Sequence, residues 1–335
     1  MPEFPSTSGS VMEPGIAVSP SDNFKNRGSL LGAIDRLPFE FGRYRIEALL
    51  GRGGMGAVFR TVDDYERLRA LTGRGLRFAI VGAGFIGSEV AAALALNGEK
   101  VVMAFPGDGI GGHLFPADLS RFLNDFYRQK GVEILPGARV TGCEVRQGKP
   151  LLTTRGDQHQ GGREIVADVV VAGLGIQPNV ELAVAAGLEV DDGIRVDRGL
   201  RTRHSDIYAA GDVANFYNPA LDRRLRVEHE DNANTMGRSA GQAMAGRTVS
   251  YDHLPSFYSD LFELGFEAVG EVDARLEAVA DWKEPYREGV VYYLRDGRVR
   301  GVLLWNVWEQ VDAARKLIAE AGPFRAGDLR GRLPA

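Results

Sequence analysis

The chain has 335 residues, with Lys+Arg 40 against Asp+Glu 45 and a formal net charge of −5, so no global positive field exists to recruit nucleic acid or anionic lipid. Hydrophobic residues make up 44% and charged residues 25%, ordinary globular values, and no apolar run approaches the ~20 residues of a bilayer span. The single cysteine, Cys143, excludes an intramolecular disulfide, a CxxC redox pair and a cysteine-built zinc site, and the five histidines are scattered without metal-ligand spacing.

Residues 1–42 are rich in Pro, Ser, Gly and Asn, lack periodicity and read as a disordered tail. With no cationic n-region and no apolar h-region they form no signal peptide, and the cytoplasm is the expected compartment. In residues 43–60, Tyr44–Leu50 precedes Gly51-Arg52-Gly53-Gly54-Met55-Gly56-Ala57-Val58, and Ala57–Val62 has strand spacing. Strand, glycine loop, strand resembles the opening of a bacterial Ser/Thr kinase domain. The resemblance then stops: there is no lysine between Lys25 and Lys100 to hold the phosphates, and no H-R-D or D-F-G follows. A relic or junction fragment is expected here, rather than an ATP-binding module.

Beyond Asp63 the pattern changes. Tyr65, Leu68 and Leu71 mark one face of a short helix, and Leu76–Val81 reads as a strand. Gly82-Ala83-Gly84-Phe85-Ile86-Gly87 leads into Ser88–Asn97, a strong helix former closed by Gly98. A strand before and a helix after make this a dinucleotide fingerprint. The first glycine allows the tight bend, the second lets backbone approach a pyrophosphate, and the third lets helix pack on strand. The helix N-terminus supplies N–H groups and a positive dipole end to the anion. The next strand, Lys100–Phe105, should carry an acid for the adenosine ribose, and Asp108 is the candidate, a solvated loop aspartate being the competing reading. No Arg or Lys stands between Lys100 and Arg121 to hold a 2′-phosphate, which favours NADH over NADPH. Leu119, Phe122, Leu123, Phe126 and Tyr127 recur at helical spacing up to Gly131, and strands are expected at 132–135, 140–145 and 164–171.

Gly175-Ile176-Gln177-Pro178-Asn179-Val180-Glu181-Leu182 and Ile207-Tyr208-Ala209-Ala210-Gly211-Asp212-Val213-Ala214 resemble the paired signatures of FAD- and NAD(P)H-dependent pyridine nucleotide oxidoreductases. Arg226-Val227-Glu228-His229, Phe257-Tyr258-Ser259-Asp260, 289–295 and 301–305 narrow the likeness to the apoptosis-inducing-factor-like and ferredoxin-reductase-like members, over about Thr61 to Phe324. The resemblance implies an α/β fold. It would comprise a Rossmann-like NAD-binding domain (61–175), the second part of an FAD-binding domain (176–250) and a small α+β C-terminal domain (251–330).

It also implies site residues. The dinucleotide would lie on Gly82, Gly84, Phe85, Ile86 and Gly87. Glu89 would reach the nicotinamide carboxamide and Gly175 would lie under the ring. Asp212, at the end of a short buried strand, would hold ribityl hydroxyls, and Glu228 and His229 would lie against the isoalloxazine. Tyr258 falls where relatives carry Trp beside the flavin edge. Glu89 and His229 are the residues expected to take part in catalysis. Asp231 is expected to cap a helix running towards Met244 whose dipole favours a reduced flavin. Val290–Arg295, Asp296-Gly297 and Val299–Trp305 read as a type I′ hairpin, with a closing helix from Val311 and with Trp305 and Trp308 as packing residues.

Such proteins carry a first FAD-binding segment of on the order of one hundred residues, with its own glycine fingerprint, ahead of the NAD unit. Here the tail and the kinase-like loop stand in that place. The expectation is a flavin-dependent NAD(P)H oxidoreductase with weak or absent FAD binding, its acceptor a ferredoxin-like protein, quinone or oxygen, and a homodimer as a possible assembly. The alternative is a non-catalytic NADH-binding module.

Overall fold

In the computed structural model, which describes residues 39–41, 44–46, 62–156 and 162–334, the chain divides into a unit spanning 1–50 and a larger one spanning 51–335. In the first, β1 (Phe39–Phe41) and β2 (Tyr44–Ile46) pair as an antiparallel hairpin. The tail expected through residue 42 therefore contains a strand, one too short for a periodicity test to register. The glycine loop Gly51–Gly56 lies outside the described residues.

The larger unit opens with α1 (Val62–Leu71) and β3 (Arg77–Val81), then α2 (Phe85–Leu96), β4 (Lys100–Phe105) and α3 (Ala117–Gln129). With β5 (Glu133–Pro136) and β9 (Val169–Ala172), β3 and β4 form a parallel sheet in the order β5-β4-β3-β9. Strands buried on both faces carry continuous apolar runs, and β3 and β4 do so. Phe78, Ile80, Val101 and Met103 face α2 and α3, while Ala79, Val81, Val102 and Ala104 face a three-stranded antiparallel sheet. That sheet comprises β6 (Ala138–Arg146), β7 (Lys149–Gly156) and β8 (Glu164–Val166).

Two local expectations change here. The single strand read over 164–171 is β8 and β9, in different sheets. Asp168 breaks the run: its N–H donates to Arg77 O (2.8 Å), and its carboxylate accepts the Arg77 N–H (2.9 Å) and pairs with Lys149. The apolar spacing predicts no strand at β7, although Gln147 (φ 52°) and Gly148 (φ 78°) make a two-residue turn with both φ positive between β6 and β7.

The next segment holds α4 (Glu181–Ala185), β10 (Ile194–Arg195), β11 (Ala214–Asn218) and β12 (Arg223–Leu225), followed by α5 (Glu230–Met244), around a core of Val196, Leu200, Phe216, Met236 and Tyr251. The short strand expected to end at Gly211-Asp212 is not a ladder strand. It makes one bridge, Arg201↔Tyr208, with bonds from Thr202 N to Ile207 O (2.9 Å) and from Ala209 N to Leu200 O (3.2 Å), and no strand among the described residues lies along its other edge.

Five antiparallel strands close the unit: β13 (Ser256–Leu261), β14 (Leu264–Gly270), β15 (Glu277–Glu284), β16 (Glu288–Arg295) and β17 (Arg298–Trp305), in the order β13-β14-β17-β16-β15. Asp296 (φ 53°) and Gly297 (φ 70°) make the expected primed turn between β16 and β17. One face of this sheet, with Val291, Tyr293, Phe266, Leu303 and Trp305, shares a continuous core with α2, α3 and the parallel sheet. The other packs on α6 (Val311–Ala319) and α7 (Ala326–Leu329). Trp305 is fully buried and stacks on Phe266, whereas Trp308 stays half-exposed over Gly265.

Candidate functional site

The turn Gly82–Gly87 is a backbone construction. Gly82 has φ 105°, and a Cβ there would collide with the Gly173 carbonyl; a Cβ on Gly87 would collide with the Gly82 carbonyl. Gly84 differs, since only the edge of His113, at 3.9 Å, approaches its Cβ position. The closely packed glycines fix the turn and the open one faces outward. The helix α2 starts at Phe85, three residues ahead of the expected Ser88, with Gly84 as a cap that uses no side chain, so its first N–H groups are available to an anion. The loop 107–113 is pinned beside it: Gly111 N donates to Ala83 O (2.9 Å), and Asn124 bonds Asp108 O (2.8 Å) and Ile110 N (3.1 Å).

This turn opens into a cleft of about 910 Å³, formed where the loops of the parallel sheet, the 221–229 segment and the C-terminal sheet meet. Gly84, Phe85, Ile86, Glu89, Gly175, Glu228, His229 and Tyr258 all line it. Gly82, Gly87, Asp108 and Asp212 do not. The first two are buried behind the start of α2, and the loop bearing Asp108 is held back against α3 by Asn124. Asp212 sits exposed on a single 3-10 turn, Gly211–Val213, with Arg226 donating to its carbonyl (3.1 Å).

His229 stacks on Phe257 with ring centroids 4.5 Å apart and planes 12° from parallel, and Phe85 meets both rings edge-on. Burial holds the His229 imidazole below its ordinary pKa despite the pull of Asp212 and Asp231, so it is neutral at pH 7. Burial lowers His113 as well, with Asp273 opposing. Arg226, nearly buried, reaches Asp192 (2.9 Å) and Glu228 (2.6 Å) in addition to the Asp212 carbonyl, so one guanidinium ties three loop segments together. Glu271, at the far end of the cleft, pairs with Arg223, Arg295 and Arg300.

Asp231 does not cap its helix. The cap position of α5 is His229, again without a side-chain bond, and the Asp231 carboxylate inside the first turn binds His253 Nε2 (2.7 Å), Ser256 N (2.9 Å) and Arg315 (3.1 Å). Burial pushes that carboxyl up, but these donors prevail and hold it at about 2. The side chain is drawn away from the helix end by three partners that lie 22, 25 and 84 residues further along.

Several lining residues carried no individual signal. Gly173 is the third partner of the glycine turn, and the Gly173/Gly175 pair after β9 was its trace in the sequence. The alternation of β13 places Phe257 and Ser259 on the face towards α2, where Ser259 Oγ donates to Glu89 Oε1 (2.6 Å). Among the described residues, no His, Cys, Asp and Glu group is placed to hold a metal, and no helix is long and apolar enough to cross a membrane.

The family of pyridine nucleotide-disulphide oxidoreductases matches residues 44–237, more than half of the chain. The chain belongs to that family. The C-terminal domain of apoptosis-inducing factor, mitochondrion-associated, matches residues 280–320. The ferredoxin–NAD(+) reductase component of the anthranilate 1,2-dioxygenase system of Burkholderia cepacia is 36% identical over 80% of this chain and 65% of its own length. Mitochondrial apoptosis-inducing factor 1 of Dictyostelium discoideum is 33% identical over 78% of this chain and 52% of its own. The covalent putidaredoxin reductase–putidaredoxin complex contains a chain of the same fold, with TM-score 0.72 and 29% identity over 79% of this chain and 63% of that one. The chain thus spans roughly half to two thirds of the length of these relatives. The α/β architecture, with its Rossmann-like parallel sheet and its likeness to ferredoxin reductases and apoptosis-inducing factors, is as the sequence implied.

Proposed function

We propose that this chain is a flavin-dependent NAD(P)H oxidoreductase that takes NADH at Gly82–Gly87, with Gly84 as the point of approach, and delivers electrons to a ferredoxin-like protein. One observation carries the reading: the N-terminus of α2, the Glu89 carboxylate, Gly175 and the stacked His229–Phe257 pair converge on a single cleft. The dinucleotide fits these residues, because the turn leaves Gly84 open while its neighbours are closed by backbone. FAD fits beside that turn, where the uncapped start of α5 and the flat His229–Phe257 stack, packed edge-on against Phe85, border the cleft.

The chemistry that FAD supplies when bound is acceptance of a hydride and its onward release as electrons, singly or in pairs. Glu89 accepts hydrogen bonds from the carboxamide and so orients the nicotinamide. Gly175, at φ 88°, offers a side-chain-free surface beneath the ring. His229, kept neutral by burial, presents an uncharged face to the flavin, and Glu228 is fixed by Arg226. Asp212 and Asp108, which lie outside the cleft, would hold the ribityl hydroxyls and the adenosine ribose only where the cofactors extend beyond it onto their turns. The ferredoxin-like acceptor rests on what the similar reductases are named for.

The test is a visible absorption spectrum of the purified protein after FAD addition and desalting, followed by anaerobic NADH. A yellow chromophore retained at well below one FAD per chain, in keeping with the weak FAD binding expected from the sequence, and bleached by NADH is the expected result. A colourless protein that still binds NADH would overturn the oxidoreductase reading in favour of an NADH-binding module.

A further inference from the structure

We propose that Ser259 is a positioning residue that sets the conformation of Glu89 and thereby the preference of the cleft for a nicotinamide bearing a primary amide. The inference rests on the reading of Glu89 given above. Glu89 lies on α2 one turn beyond Gly84, its carboxylate reaching the cleft and its residue otherwise exposed. A long, solvent-facing side chain has several rotamers open to it. Ser259 limits them. Its hydroxyl, only 2% exposed, donates to Oε1 at 2.6 Å, a short bond of the kind a charged acceptor makes.

The donor is itself immobile, because Ser259 sits mid-strand on β13, paired with Phe266 of β14. It reaches across 170 positions of sequence from a different sheet. The other hydroxyl near Glu89, that of Tyr127, is committed elsewhere, donating to Ser88 O at 3.1 Å. An ionised carboxylate only accepts. Ser259 fixes the carboxylate at Oε1 and leaves its other lone pairs for a donor in the cleft, and the carboxamide N–H₂ is such a donor. A 3-acetylpyridine ring presents a methyl group there and cannot donate. The hydroxyl of Ser259 therefore acts on ligand choice through Glu89 without touching the ligand.

The experiment is calorimetric titration of the full chain with NADH and with its reduced 3-acetylpyridine analogue, a readout that needs no turnover. Ser259→Ala is expected to lower the NADH-over-analogue affinity ratio by roughly three- to tenfold, the range for one charged hydrogen bond's influence. Glu89→Ala should abolish the preference, Ser259→Thr should keep it, and Ser259→Ala should add nothing in the Glu89→Ala background. If Glu89→Ala removes the preference while Ser259→Ala leaves it within twofold, the positioning role is overturned and the reading of Glu89 stands. If Glu89→Ala leaves the preference intact, both fall. The Thr variant separates loss of the hydroxyl from loss of fold.

Discussion

At the dinucleotide turn, Gly82, Gly87 and Gly173 are held by one another's backbone atoms, and two of them lie within six residues. On the side bearing Glu228 and His229, Glu228 and the Asp212 turn are held by Arg226, itself paired with Asp192, and Asp231 behind them is held by His253 and Arg315, side chains drawn from across the unit. The first wall is specified by a lack of side chains and the second by their long-range pairing. A single added methyl group should therefore break the first, whereas the second should yield in steps as individual ion pairs are removed.

The largest effect is expected from Gly87→Val, which forces a branched side chain into the Gly82 carbonyl. It should weaken NADH binding about 100-fold and lower stability by about 3 kcal/mol. Gly84→Ala is the sharpening control: with open space at Cβ it should keep the melting temperature and lose only ligand approach, about tenfold in NADH affinity. Thermal unfolding and NADH titration of both variants check this. Equal stability losses would mean that the two glycines do not have separate tasks.

Arg226→Met tests the other wall. It leaves Glu228 and the Asp212 carbonyl without their shared partner and should cost about 2 kcal/mol in stability. Flavin affinity should fall about tenfold, with NADH affinity within twofold of the parent. A matching loss of NADH affinity would show that the two walls are not independent.

The same division explains what could be read from sequence. The turn, α2, β4, α3 and the β16–β17 hairpin are local: apolar periodicity, glycines and a two-residue Asp-Gly turn suffice to locate them. Asp231 looked like a cap because a capping residue is recognised by position, while the pull of His253, Ser256 and Arg315 exists only after folding. Asp168 likewise separates β8 from β9 through a bond to Arg77, 91 residues earlier. Ser259 sat inside a recognisable motif, yet its task depends on Glu89 in another layer. Glu228, His229 and Tyr258 were reached through family resemblance, and the cleft does gather them.

Asp231 also gives the second wall a pH signature. Its folded pKa, about 2, lies below the unfolded carboxylate value, so its stabilisation is present above that unfolded value and is lost as pH falls through the folded one. Asp231→Asn should cost about 1 kcal/mol at pH 5, discounted for partial exposure, and the gap to the parent should close towards pH 2. Denaturant midpoints across pH 2–6 measure it. Asp273, also held at about 2, by Arg275, remains to sustain part of the acid limb in both proteins.

The smallest effect compares two histidines, one on each wall. Burial lowers both His229 and His113, so each stays neutral in the folded chain after the unfolded chain has begun to take up a proton. Stability is therefore unaffected above the unfolded histidine value and declines as pH falls below it, towards the folded one. His229→Phe keeps an aromatic ring against Phe257 and should recover about 0.5 kcal/mol at pH 5.5 relative to pH 8. His113→Gln, lacking such a stack, should flatten the same limb with no change in flavin affinity. If His229→Phe leaves the profile between pH 5 and 7 unchanged, the imidazole is not buried enough to resist protonation, and the neutral face assigned to it is wrong.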